Sequence, residues 1–128
     1  MLQGERYYKT EPFRADGDLT GKEGCFVKHG ANDEDAAICS VGGEFSLGLL
    51  IAGAADNKAV SVLREGVGMA KVANAAYALG AELAVAADGT LVAAAAGNLV
   101  VARSMEKRTV ASAEDLQVQV HVPFYKHA

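Results

Sequence analysis

Three histidines (His29, His121, His127) and five serines (Ser40, Ser46, Ser61, Ser104, Ser112) are the residues from which a hydrolytic or metal site would have to be built. No serine lies in a GxSxG elbow, and no Ser, His and Asp set is recognisable from spacing. The histidines form neither HExxH nor an i, i+4 ligand pair, and they read as surface residues. Asp16 and Asp18, and the run Asp33, Glu34, Asp35, could offer oxygens to calcium, but no EF-hand loop surrounds them and turn chemistry accounts for them. Gly42 with Gly43, and Gly66 with Gly68, are not phosphate loops, because no GxGxxG or GxxxxGK[ST] pattern opens a helix after them. The expectation is no catalytic residue, no metal, no cofactor and no enzymatic activity.

Cys25 and Cys39 are the only cysteines and lack CxxC spacing, while residues 1–13 carry no secretory leader, so free thiols in a reducing cytosol are expected. A disulfide across a hairpin stays geometrically conceivable. The chain is acidic, with net charge −4, and its twelve Lys and Arg are scattered, which argues against nucleic acid as a partner. The densest basic stretch, residues 103–108, contains Glu106 and reads as a solvated loop that could pair with acidic groups on a partner. The Ala-rich residues 69–102 are interrupted by Lys71, Glu82 and Asp88 and broken by Gly80, Gly89 and Gly97, so no bilayer span is expected.

The elements that would position these residues are strands. From residue 19 onward, short apolar runs are separated by Gly, Asp and Asn at intervals of roughly 8 to 12 residues, the pattern of an all-β barrel or sandwich. In residues 116–122, Leu116, Val118, Val120 and Val122 alternate with Gln117, Gln119 and His121, giving one buried and one polar face, and Pro123 is expected to limit further pairing. Phe45, Leu47, Leu49 and Ile51 form a second period-2 set, and Val60 and Val62 flank Ser61 in a third. Further strands are expected at 25–28, 36–41, 66–72, 83–86, 91–94 and 99–103. Residues 32–35 and Asp88-Gly89 read as hairpin turns. One short helical turn is expected at 74–79, with Asn74 as N-cap and Gly80 as the stop. Residues 45–63 and 99–122 echo each other weakly, and two such units closing on one another would build a small barrel.

The interior available to these strands is thin. Hydrophobic residues make up 51% of the chain, but they are mostly Ala and Val, with four Phe, four Tyr and no Trp. Small side chains bury little area at roughly 25 cal/mol per Å², so self-association is expected to add burial. A homotrimer is expected, with a dimer as the alternative. Residues 1–18 lack periodicity and read as an extended N-terminal arm preceding a domain at 19–128. Arg6, Tyr7, Tyr8 and Phe13 in this arm are the candidate anchors for a partner, since aromatic residues and Arg dominate interface hot spots.

The order of segments resembles that of phage capsid decoration (head cement) proteins. The carriers are residues 15–28 (ADGDLTGKEGCFVK), 45–50 (FSLGLL), Val60-Ser61-Val62 followed by Gly66, residues 80–83 (GAEL) and 87–90 (ADGT), and the closing strand at 116–122. The chain departs from the pattern at Ala102-Arg103 and at Glu114-Asp115-Leu116. The resemblance implies a structural virion protein, made in the bacterial host cytoplasm, that binds the outside of the phage head and stabilises it. Its implied partner is the major capsid protein, and the family has no catalytic residues to carry over. The alternative is a carbohydrate-binding or adhesive β-module on the virion surface, which usually presents an aromatic platform.

Overall fold

The computed structural model describes residues 9–110 and 115–126, the last six by backbone alone. Eleven strands follow in chain order: β1 (Lys9–Ala15), β2 (Phe26–His29), β3 (Asp35–Ile38), β4 (Gly48–Ala52), β5 (Ala59–Lys71), β6 (Ala75–Tyr77), β7 (Glu82–Val85), β8 (Leu91–Ala93), β9 (Leu99–Ser104), β10 (Arg108–Val110) and β11 (Asp115–Lys126). The fold is all-β, and no helix occurs among the described residues. Nine strands form one sheet, in the order β1-β3-β2-β4-β5-β11-β9-β7-β8, and β1 also pairs with β5, closing the first five strands into a barrel. Strands β6 and β10 form a separate two-stranded ribbon.

The thirteen-residue β5 organises the molecule. Its first half pairs with β4 and β1, and its second half pairs with β11. The change of partner falls between adjacent residues, with Lys9 opposite Glu65 and Val120 opposite Gly66. Gly66 has φ 136°, a backbone that side-chain-bearing residues rarely adopt, which explains the glycine where the strand switches neighbours. Beyond β11 the sheet continues through β9, β7 and β8, and β8 returns to the end of β5 through a parallel bridge between Val72 and Leu91.

Two cores result. Ala15, Leu19, Val27, Ala36, Leu47, Leu50, Val60 and Val62 pack together, while Phe26, Leu49, Leu63, Leu83, Leu91, Leu116, Val118 and Val120 belong to a larger cluster. Adjacent residues such as Phe26 and Val27, or Leu49 and Leu50, are thus both buried, because the sheet there is covered on both faces. This overrides the expected alternation at residues 45–51: Leu47 and Leu49 are buried as expected, but so is Leu50, while Phe45 and Ile51 are exposed.

Several expectations are corrected. The helical turn at 74–79 is instead strand β6, laddered to β10 with Ala76 opposite Thr109. The Tyr77 hydroxyl donates to the Ala73 carbonyl at 2.7 Å. A helix of one or two turns cannot repay its nucleation cost, whereas a ribbon partner satisfies the same backbone. Strand β11 runs through Pro123: pairing with β5 ends at Val120, but pairing with β9 resumes at Tyr125 after a register shift, the irregularity at which a strand tolerates proline. The two echoing units do not close on each other; they lie side by side as β4-β5 and β11-β9. Of the expected arm, residues 1–8 lie outside the described residues, but Lys9–Ala15 is strand β1 and completes the barrel. Its lack of periodicity reflects mixed exposure along a closing strand.

Candidate functional site

Of the four expected anchors, Arg6, Tyr7 and Tyr8 lie outside the described residues. Phe13 sits on β1 opposite Val60, half-buried against the Leu50 and Val62 core, with its ring edge-on to that of His29 at 6.5 Å. Much of its surface is therefore engaged within the chain. The next residue forms the clasp of the barrel. The Arg14 guanidinium donates from Nε and Nη2 to Asp35 Oδ1, both at 2.8 Å, and Asn32 Nδ2 donates to Oδ2 at 3.2 Å. This ties β1 to β3 where the two pair in parallel, Arg14 opposite Asp35.

Asp35 is buried, and burial pushes its carboxyl up, but the Arg14 and Asn32 hydrogen bonds outweigh this and hold it below the ordinary carboxylate value. A group depressed in the folded state adds stability above its unfolded pKa and loses it as pH falls through the folded value. The melting temperature should therefore decline below about pH 4. Asp35→Asn should melt lower than the parent at pH 7 and show a shallower acid slope in melts followed by circular dichroism. Parallel slopes for the two proteins would show that the clasp does not carry the acid sensitivity.

Several other residues singled out for chemistry have structural tasks, while Ser112 and His127 lie outside the described residues and His121 is described by backbone alone. The Asp16 carboxylate accepts from the Ala31 N–H at 2.9 Å, and Asp18 accepts from the Thr20 N–H at 3.0 Å. The Ser46 hydroxyl donates to the Val27 carbonyl at 2.7 Å and that of Ser104 to the Glu106 carbonyl at 2.6 Å. Ser40 Oγ accepts from Lys28 Nζ. Among the described residues no three His, Cys, Asp or Glu side chains are grouped to hold a metal ion. Cys25, before β2, and Cys39, after β3, are buried and free, and burial pushes the Cys39 thiol up to about 11. The two hairpin turns form as expected, and Asp88 accepts from the Thr90 N–H and hydroxyl beside Gly89, whose φ is 86°.

The basic stretch at 103–108 is partly strand, not a free loop, and Arg103, Glu106 and Arg108 find partners inside the chain. Arg103 faces Glu82 at 3.7 Å, the Glu106 carboxylate accepts from the Gln117 N–H at 2.7 Å, and Arg108 donates to the Asp115 carbonyl at 2.8 Å. Beside it the ribbon borders a groove of about 370 Å³ lined by Ala76, Tyr77, Ala78, Lys107, Arg108 and Thr109. The periodicity of the sequence does not reveal the outward face of β5 and β11, where Met69 is exposed, with Met105 just after β9 exposed beside it. The one local signal is Met69, which alternates with the buried Ala70 within the strand expected at 66–72.

No protein-family model matches the chain, and no curated protein matches it. Among solved structures, the N base of head fiber gp8.5 in bacteriophage phi29 has a similar fold, with a TM-score of 0.63 at 12% sequence identity, covering 94% of this chain and 100% of that one. At this identity the likeness is one of fold.

Proposed function

We propose that this chain is a structural protein of a phage virion, which binds the exterior of the assembled head and stabilises the capsid by bridging major capsid protein subunits. The observation that carries the reading is the likeness of nearly the whole chain to the base of a phage head fiber. The order of segments over residues 15–122, which resembles that of decoration proteins, supports it from the sequence side. The engagement of Asp35 in the barrel clasp and of Asp16 and Ser46 in hydrogen bonds to backbone suits a scaffold. Repeated across a head, it needs only weak individual contacts, because an oligomer that engages several capsid subunits gains avidity from effective concentration. A trimer at a local threefold position fits such a lattice, with a dimer as the alternative. The glycan-binding alternative finds less support: of the four aromatic side chains described, Phe26 and Tyr77 are buried and Phe13 is half-buried, which leaves Phe45 as the one exposed ring among them.

In this reading Arg6, Tyr7, Tyr8 and Phe13 grip the capsid, with Phe13 fixing the strand from which the first three extend. An extended segment can add a strand to an exposed sheet edge on the capsid, its backbone supplying affinity and its rings the anchors. The test is co-sedimentation with purified undecorated heads. The full chain should pellet with heads in a saturable manner, and deletion of residues 1–8 should reduce occupancy by at least about tenfold. Absence of saturable binding by the full chain overturns the head-binding reading, whereas undiminished occupancy by the truncated chain overturns only the anchor assignment.

A further inference from the structure

The barrel is closed by the first described strand, and that strand is lightly held. Along β1, Ala15 is buried and Phe13 is half-buried, whereas Lys9, Thr10 and Pro12 face solvent. What fixes β1 is its antiparallel ladder on β5, its parallel step on β3, and three side-chain pairs: Glu11 with Arg64, Phe13 with His29, and Arg14 with Asp35. Every one of these contacts joins residues 9–15 to residues 29–65. Each therefore forms equally well when β1 comes from one copy and the barrel from another. The slot between β3 and β5 is shaped for this strand, and a second copy of the chain carries the same strand.

The connection that has to change is short. Asp16, Gly17 and Asp18 are exposed, while Leu19 beyond them is buried in the smaller core, with its N–H on the Ala54 carbonyl at 2.9 Å. The turn that brings β1 onto its own barrel is made at Gly17, whose φ is 93° and whose N–H donates to Asp56 Oδ1 at 2.8 Å. A Cβ added at Gly17 meets nothing within 4 Å, so the closed turn depends on backbone conformation there and not on space. Extended, the three hinge residues reach about 10 Å, enough to hand β1 to a barrel in contact with the first. Seating in that second barrel restores the ladder and all three pairs. The closed and exchanged forms thus differ mainly in the turn at Asp16–Asp18, the circumstance in which strand exchange is a low-cost route to oligomers.

We propose that the slot between β3 and β5 is an intermolecular binding site whose occupant is β1 of a second copy, so that copies assemble by exchanging Lys9–Ala15 about a hinge at Asp16–Asp18. The exchange goes beyond the head-binding reading, and its test is run without heads, so that the two can fail separately. The reporter carries Cys25→Ala, Cys39→Ala, Pro12→Cys and Ser61→Cys, because residues 12 and 61 are antiparallel partners at a spacing a disulfide can bridge. After incubation at high protein concentration, oligomers isolated by size exclusion are treated with oxidised glutathione and run on a denaturing gel. Exchange predicts covalently linked chains, whereas association through an outer surface leaves the disulfide within each chain. Gly17→Val in the wild-type background disfavours the positive φ of the closed turn and should raise the oligomer fraction about tenfold. Gly17→Asn, which accepts positive φ, should leave it near the parent's. Should the cysteine reporter lose cooperative melting, the two Gly17 variants are read in its place. Oligomers that run as single chains on the denaturing gel overturn the proposal, as does a Gly17→Val variant whose oligomer fraction matches the parent's.

Discussion

Val120→Asp should abolish folding, while Gln119→Asp, one residue away, should leave the melt nearly unchanged. Val120 lies between Gly66 of β5 and Ala102 of β9, is fully buried, and belongs to the larger core cluster. A carboxylate there would lose its hydration with no cation described beside it, and the valine's packing would be lost as well. Such a change costs about 4 kcal/mol or more, against total stabilities of about 5–15 kcal/mol for domains of this size. Gln119 points the other way, is exposed, and lies opposite Arg103 across β9, so an added carboxylate stays solvated. Its expected effect is within about 0.5 kcal/mol. Both variants belong in melts at the same low concentration, so that the comparison reads the fold alone. Similar melting temperatures for the two would show that β11 is in another register.

Truncation at two points should give opposite results. Removing residues 1–15 deletes β1, and with it the ladder along β5 from Ala59 to Glu65, the Arg14 clasp on Asp35, and the cover that Phe13 and Ala15 give to Leu50, Val60 and Val62. The barrel would open, leaving two strand edges unpaired and one small core exposed. An opened edge of this kind templates intermolecular pairing, so the product should aggregate or melt without cooperativity. Removing residues 1–8 touches none of these contacts and should keep the melting temperature within a few degrees, at roughly 4–8 °C per kcal/mol for small domains. Light scattering alongside thermal melts distinguishes the cases. A soluble, cooperatively melting chain that lacks residues 1–15 would show that β1 is dispensable to the barrel.

The all-β class, most strand positions and the two hairpin turns were legible in the sequence, because they depend on local chemistry. Alternation of Leu116, Val118 and Val120 with Gln117 and Gln119 marks a strand buried on one face wherever it ends up, and Asp88-Gly89 makes a tight turn between any two strands. The turn chemistry of Asp16 and Asp18 was readable for the same reason: short polar side chains bond to backbone nearby in space at loop positions.

Tertiary structure alone decided what depends on partners remote in sequence. Within residues 74–79, expected as a helical turn, the presence of Arg108–Val110 alongside makes Ala75–Tyr77 a strand. Residues 9–15 carry no periodic signal, since a strand that closes a barrel is exposed at one end and buried at the other, and only the facing residues of β5 and β3 define its role. Leu49 and Leu50 are both buried because the barrel wall is covered on both sides. The row of Met69, Gln117 and Met105 assembles from three separate strands, so no window of sequence contains it. Local chemistry sets which segments extend and where they turn, but registers between distant strands set which side chains share a face.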